Sequence, residues 1–186
     1  MACIFLYVGA EVGIASIMIN YLEQKSVLGI DAKAAGLLLA NYWLGALIGR
    51  FCGGFLLRLT APGKVLMAFA LVAATLVLTS FSTGGSLAAY SLIAVGLANS
   101  IMFPTIFSLA VEGLGDRAPQ GSGLLCTAIV GGAFIPWLVG AVADAAGLRM
   151  GLIVPVICYV VIASFGWFAR KPEGGEGAAA AEVVFE

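Results

Sequence analysis

Glu11 lies near the middle of an apolar stretch, residues 2–22, where acids are rarely placed. An ionised carboxylate at the centre of a membrane helix costs about 2.5–3.5 kcal/mol on insertion scales, so it must face a cavity or a partner. Tyr7 shares its face, one helical turn earlier, whereas Ser16 and Asn20 form a second polar face. Two polar faces on one such helix call for either a cavity or a break, and Gly13 offers the break. In that setting Glu11 acts as a hydrogen-bond donor or as a proton carrier, and we read it as a cavity residue.

Three further stretches carry chemistry-bearing side chains. Asn41-Tyr42-Trp43 opens a stripe of Gly45, Gly49 and Gly53. Asn41 both donates and accepts, as a sugar hydroxyl requires, while Trp43 offers an apolar ring face. The same amide can instead bridge two helices, and the glycine stripe reads as close helix packing. Asn99-Ser100-Ile101-Met102-Phe103-Pro104-Thr105 pairs an amide with an aromatic ring one turn away. Pro104 lacks the N–H that would reach the Ser100 carbonyl, so that oxygen is freed and a kink is expected. Pro136, in a row with Gly132, Gly140 and Asp144, is the second expected hinge. Arg50 reads as a gate or lipid-headgroup residue rather than a ligand.

The composition excludes much else. The chain is 62% hydrophobic and 10% charged, with a mean hydropathy of +1.10. It has no histidine, so the commonest general base and metal ligand is missing. The four cysteines, at 3, 52, 126 and 158, fall in separate apolar stretches and read as small hydrophobes. Gly113-Leu-Gly-Asp116 looks like an intramembrane aspartyl protease motif, but Asp116 and Asp144 are expected at opposite membrane faces and cannot form a dyad. Gly121-Ser-Gly123 has no histidine to activate its serine. No enzyme, cofactor or metal site is expected. A net charge of −1 with no basic run also argues against a nucleic-acid partner.

The elements that position these residues follow from length and periodicity. Six apolar stretches, roughly 2–22, 34–57, 64–82, 86–110, 122–143 and 151–169, each approach the ~20 residues that span ~30 Å of hydrocarbon as a helix. Sliding the chain on itself by 87 positions pairs Val8-Gly9 with Val95-Gly96 and Gly36-Leu-Leu38 with Gly123-Leu-Leu125. The same shift pairs Gly45-Ala46 with Gly132-Ala133, Ile48 with Ile135 and Gly53 with Gly140. Three spans per copy is an odd number, so the copies run in opposite directions, as in transporters built on inverted repeats. The expected architecture is an all-α membrane protein of six transmembrane helices. Residues 1–169 form the membrane unit, as repeat 1–82 and repeat 86–169; 170–186 form a small, acidic, disordered cytoplasmic tail.

Lysine and arginine set the orientation. Arg58, Lys64, Arg117, Arg170 and Lys171 gather on the side of the termini, against Lys25, Lys33 and Arg149 on the other. The positive-inside rule then places both termini in the cytoplasm.

With these residues in view the chain resembles a known family. Tyr7-Val-Gly-Ala-Glu-Val-Gly-Ile14, Gly49-Arg-Phe-Cys-Gly-Gly-Phe-Leu-Leu57, Ser100–Gly115 and Gly121–Asp144 are similar to the fucose–galactose–glucose:proton symporters of the major facilitator superfamily. The resemblance runs from about Leu6 to Phe168 and matches the C-terminal six-helix half of those proteins. It implies proton-coupled sugar uptake across a bacterial inner membrane by alternating access. The N-terminal half, which by the same resemblance carries the main coupling acids, would be supplied separately. The superfamily's loop motif expects an acid where this chain has Leu57; the matching position of the second repeat keeps it as Asp144. Glu11, Asn20, Asn41 and Asn99 are then the expected polar cavity residues, with Trp43 and Phe103 as aromatic walls and Pro104 and Pro136 as hinges. Two other readings stay open: a self-sufficient transporter of two identical copies, and a non-transporting membrane subunit that stabilises a partner.

Overall fold

The computed structural model describes residues 1–169, and their regular structure is helical throughout. The tail assigned to 170–186 lies outside the described residues. Among the described residues six helices are long and apolar enough to cross a membrane: α1 Ala2–Glu23, α2 Ala32–Leu59, α3 Pro62–Ser82, α4 Gly85–Val111, α5 Gly115–Ala146 and α6 Leu148–Phe168. α4 consists of two segments, Gly85–Asn99 and Met102–Val111. α5 begins with a 3-10 turn at Gly115–Arg117 and passes through another at Ala128–Val130.

The fifth helix is longer than hydropathy implied. Asp116, Arg117, Gly121 and Ser122 lower the apolar average without breaking the backbone pattern. Pro119 sits in the first turn of the α-helix starting at Ala118, where its missing N–H interrupts no hydrogen bond. The expected loop between α5 and α6 shrinks to Gly147. At φ +98° this glycine takes a conformation closed to most residues, and its N–H donates to the Ala143 carbonyl at 2.8 Å.

Helix packing follows the repeat. α1 packs on α5 and α2 on α4; α1 also meets α6, and α3 meets α4; α3 and α6 pair extensively. Exchanging the repeats turns the α1–α5 contact into α4–α2 and α1–α6 into α4–α3, while α3–α6 maps onto itself. That is the pattern of two inverted three-helix repeats. Gly45 and Gly132, paired by the 87-residue shift, sit at equivalent crossings. A Cβ at Gly45 would lie 3.3 Å from the Leu97 nitrogen of α4, and one at Gly132 3.1 Å from Val8 Cγ1 of α1. At Gly53 a Cβ would collide with Ile101, so the stripe on α2 is close packing, as expected.

α1 and α4 are the most enclosed helices, with 50% and 56% of their apolar windows buried. α2 and α5 are the least, at 22% and 28%, and they display Trp43, Phe51, Phe55, Phe134 and Trp137. Between the two alternatives for α1, the break is not found. The helix is continuous through Gly13, whose missing side chain lets Val139 approach instead. Ser16 Oγ donates to the Gly13 carbonyl at 2.8 Å without displacing the helix.

Candidate functional site

The site forms where α1, α2, α4 and α6 meet around Asn99. This asparagine is fully buried, and each of its polar groups is engaged. Its Nδ2 donates to Tyr42 Oη at 2.8 Å, and its Oδ1 accepts from the Tyr159 hydroxyl at 2.9 Å. The Tyr7 hydroxyl lies 3.0 Å from its main-chain carbonyl. Glu11 joins through the same Tyr7 hydroxyl, 2.9 Å from Glu11 Oε1, and Tyr42 donates to the Glu11 main-chain carbonyl at 3.3 Å. Three buried tyrosines from three helices thus converge on one amide and one carboxyl group. In a low-dielectric interior an unpaired hydroxyl is costly, so this closed network fixes the helices relative to one another.

Sequence reasoning placed Tyr7 beside Glu11, but it did not single out Tyr42 or Tyr159. A signal was present. Both sit inside long apolar stretches, away from the membrane interface where a tyrosine hydroxyl finds water, so each needs an internal partner. What the sequence cannot give is which partner, because those contacts join residues 57 and 60 positions apart.

A kink is expected at Pro104; α4 divides just ahead of it, between Gly85–Asn99 and Met102–Val111. The regular α-helical hydrogen-bond pattern lapses at Ser100 and Ile101, ahead of the proline, while both residues keep right-handed backbone angles. The freed Ser100 carbonyl is not left bare: Arg50 Nε of α2 donates to it at 3.3 Å. Arg50, read from sequence as a gate or headgroup residue, therefore also caps the break. The Ser100 hydroxyl, fully buried against Gly49, has no hydrogen-bond partner among the described residues. Pro136 lies inside a continuous helical segment, Gly131–Ala146, and the irregular turn of α5 falls before it at Ala128–Val130.

The six expected cavity residues divide into two groups. Glu11, Asn99 and Phe103 are brought together, the Phe103 ring lying 6.2 Å from that of Tyr7 and 6.2 Å from that of Phe107. Trp43 attaches to the same cluster, edge-on to Tyr42 at 5.2 Å, with its other side 45% exposed. Asn20 and Asn41 stand apart and exposed. Asn20 is nine residues beyond Glu11, about 13 Å along the helix. Glu11 is only 9% exposed, so it sits at the rim of the network rather than in the open. The arrangement holds a hydrogen-bonded carboxyl group beside a broken helix, with an aromatic rim. No group of His, Cys, Asp or Glu among the described residues is placed to hold a metal ion.

No protein-family model matches the chain. Among curated proteins, a glucose/galactose transporter of Brucella abortus is 47% identical over 168 residues, covering 90% of this chain and 41% of that protein. The L-fucose-proton symporter of Escherichia coli is 37% identical over 172 residues, covering 90% of this chain and 38% of its own length. Among solved structures, a major facilitator superfamily transporter, FucP, in its outward conformation superposes with a TM-score of 0.87 at 35% identity. That match covers 92% of this chain and 41% of FucP. The chain thus spans about two fifths of the length of the relatives it matches, and these relatives are transporters rather than enzymes. Six membrane-length helices with such homologues describe an integral membrane protein. In sequence and in fold it is a homologue of the C-terminal six-helix half of the fucose and glucose/galactose transporters of the major facilitator superfamily.

Proposed function

We propose that this chain is the C-terminal half of a hexose or deoxyhexose transporter that works by proton symport and alternating access, together with a second six-helix half. The observation that carries this reading is a carboxylate in the middle of a span, Glu11, held beside a broken helix in a fold shared with sugar transporters. Glu11, Asn20, Asn41 and Asn99 supply the polar side of the cavity, with Trp43 and Phe103 as its aromatic walls; Pro104 and Pro136 act as hinges. In this assignment Asn99 acts from within the network, and Asn20 and Asn41 meet the sugar directly. The weakly buried faces of α2 and α5 fit a partner half, because aromatic residues left on two symmetry-related helices need covering by protein or lipid. The membrane unit runs over 1–169 in repeats 1–82 and 86–169, in a bacterial inner membrane with both termini cytoplasmic.

The same faces fit a second copy of the chain, which is the competing reading. Proton-driven uptake of labelled glucose, galactose and fucose into proteoliposomes separates the two. Uptake that appears only when an N-terminal half of a glucose/galactose transporter is reconstituted with the chain supports the proposal. Uptake by the chain alone supports two identical copies. No uptake of any of the three sugars in either case overturns both. Orientation is tested separately, on a cysteine-free background: Ser26→Cys should react with an impermeant thiol reagent from outside and Ala61→Cys should not.

A further inference from the structure

The Tyr7 hydroxyl has one proton and two acceptors. Glu11 Oε1 lies 2.9 Å away and the Asn99 main-chain carbonyl 3.0 Å away, on different helices. The other hydroxyls of the cluster have a settled direction. Tyr159 donates to Asn99 Oδ1, and Tyr42 receives from Asn99 Nδ2, which leaves its proton for the Glu11 carbonyl. The proton count therefore leaves one ambiguity in the network, and it falls between Glu11 and the break in α4.

Two patterns satisfy the geometry. With Glu11 ionised, the carboxylate can only accept, so the Tyr7 proton turns to it and the Asn99 carbonyl loses that donor. With Glu11 protonated, the carboxylic O–H donates to Tyr7 Oη, and Tyr7 passes its own proton on to the Asn99 carbonyl. Asn99 is the last residue of the first α4 segment, directly before the break. The next carbonyl, Ser100, is held by Arg50, so the two carbonyls at the break are capped from α1 and α2 respectively.

We propose that Tyr7 is a switch residue: it hands the protonation state of Glu11 on α1 to the break in α4, capping the Asn99 carbonyl when Glu11 is neutral and releasing it when Glu11 is charged. The proposal rests on the transporter reading for its purpose, but not for its physics. The ionisable groups that face Glu11 are Tyr7 on its own helix, Tyr42 and Arg50 on α2, and Tyr159 on α6. The stretch of α4 that meets α1, Asn99 to Phe103, and the stretch of α5 packed on α1, Gly131 to Val139, carry no ionisable side chain. Arg50 is the only permanent charge of this set. It caps the neighbouring carbonyl of the break, that of Ser100. Protonation of one carboxyl group would thereby stiffen the hinge, and its loss would loosen it.

The test uses the full chain in lipid nanodiscs labelled with 3-fluorotyrosine, the Tyr7→Phe spectrum identifying the Tyr7 resonance. The wild-type resonance should move with pH along one titration. In Glu11→Gln the amide donates as a carboxylic acid would, so the resonance should stay at its low-pH position throughout. Amide hydrogen exchange at Met102–Thr105, compared at one high pH, should be slower in Glu11→Gln than in wild type by about fivefold, the ratio set by one net hydrogen bond. Tyr7→Phe, which keeps the ring, should remove this difference when placed in both backgrounds. A pH-independent Tyr7 resonance, a titration that survives Glu11→Gln, or equal exchange in the two proteins would overturn the switch. None of these readouts needs sugar or a second half, so failed uptake and a failed switch are separate outcomes.

Discussion

α1 and α4 occupy equivalent places in the two repeats, yet they have been built for opposite purposes. The 87-residue shift sets Glu11 against Ala98, Val12 against Asn99, Gly13 against Ser100 and Ile17 against Pro104. α1 keeps every turn and carries the acid; α4 carries no acid and is broken at Ser100 and Ile101. The backbone frame is symmetric because the glycines at its crossings are repeated. The polar content is not: the acid lies on α1 and the break on α4, and the Tyr7 hydroxyl joins the two. Symmetry here supplies the frame, and departures from it supply the site.

The largest effect should come from removing the hub of that site. Asn99→Leu leaves the Tyr159 hydroxyl and the Tyr42 oxygen buried without their amide partner, at about 1–3 kcal/mol for each orphaned group. Thermal unfolding in detergent should show a loss of that order, about twice the loss in Tyr159→Phe, which removes one hydroxyl and orphans only one acceptor. Similar losses in the two variants would mean that Asn99 is not the hub.

Next in size is a direct test of the symmetric frame. A Cβ at Gly96 would collide with the Tyr42 backbone, and one at Gly131 with the Phe5 backbone, so each glycine permits one of the two related crossings. Backbone cannot move aside as a side-chain tip can, and overpacking of this kind costs about 1–3 kcal/mol. Gly96→Ala and Gly131→Ala should therefore each destabilise by an amount of that order. Gly140→Ala, with open space around its Cβ, should be neutral or slightly stabilising on helix propensity. A neutral Gly96→Ala or Gly131→Ala would show that its crossing does not depend on the glycine.

Much of this was legible in the sequence, and the remainder was not for identifiable reasons. The six spans, the inverted repeat and the freed Ser100 carbonyl follow from hydropathy, parity and the missing proline N–H, all of which act locally. The partners of Asn99 and the donor to Ser100 lie 50 or more positions away in the chain, and nothing local encodes them. The start of α5 was misplaced because polar residues in a first helical turn look like loop to any apolar average. Gly13 was open to two readings because glycine permits both a break and a close approach; only the neighbour, Val139, decides.

A smaller effect should come from mending the break. Pro104→Ala restores an N–H that can reach the Ser100 carbonyl now held by Arg50. Stability should rise by about 1 kcal/mol, the net value of one hydrogen bond, while hinge-dependent uptake falls. Arg50→Gln should then cost less in the Pro104→Ala background than in wild type, because the carbonyl it caps has another donor. Additive losses in that double-mutant cycle would show that Arg50 and the break are independent.

The smallest effect, and the one that most sharpens the contrast between the helices, is at Ser100. Its counterpart in α1 is Gly13, which packs without a side chain, whereas Ser100 buries a hydroxyl that finds no partner. A buried hydroxyl with nothing to bond is a cost, so Ser100→Ala should be neutral or should stabilise by up to about 1 kcal/mol. If the hydroxyl only fills space against Gly49, uptake by the reconstituted transporter should be unchanged as well. If instead stability is unchanged but uptake falls, the hydroxyl is used during the transport cycle, when α4 rearranges about the break and brings it a partner. A loss of stability on its own would contradict the reading of Ser100 as an unsatisfied group. The three outcomes differ in sign on two independent measurements, so a change worth less than one hydrogen bond can still decide whether α4 is only a broken helix or a working one.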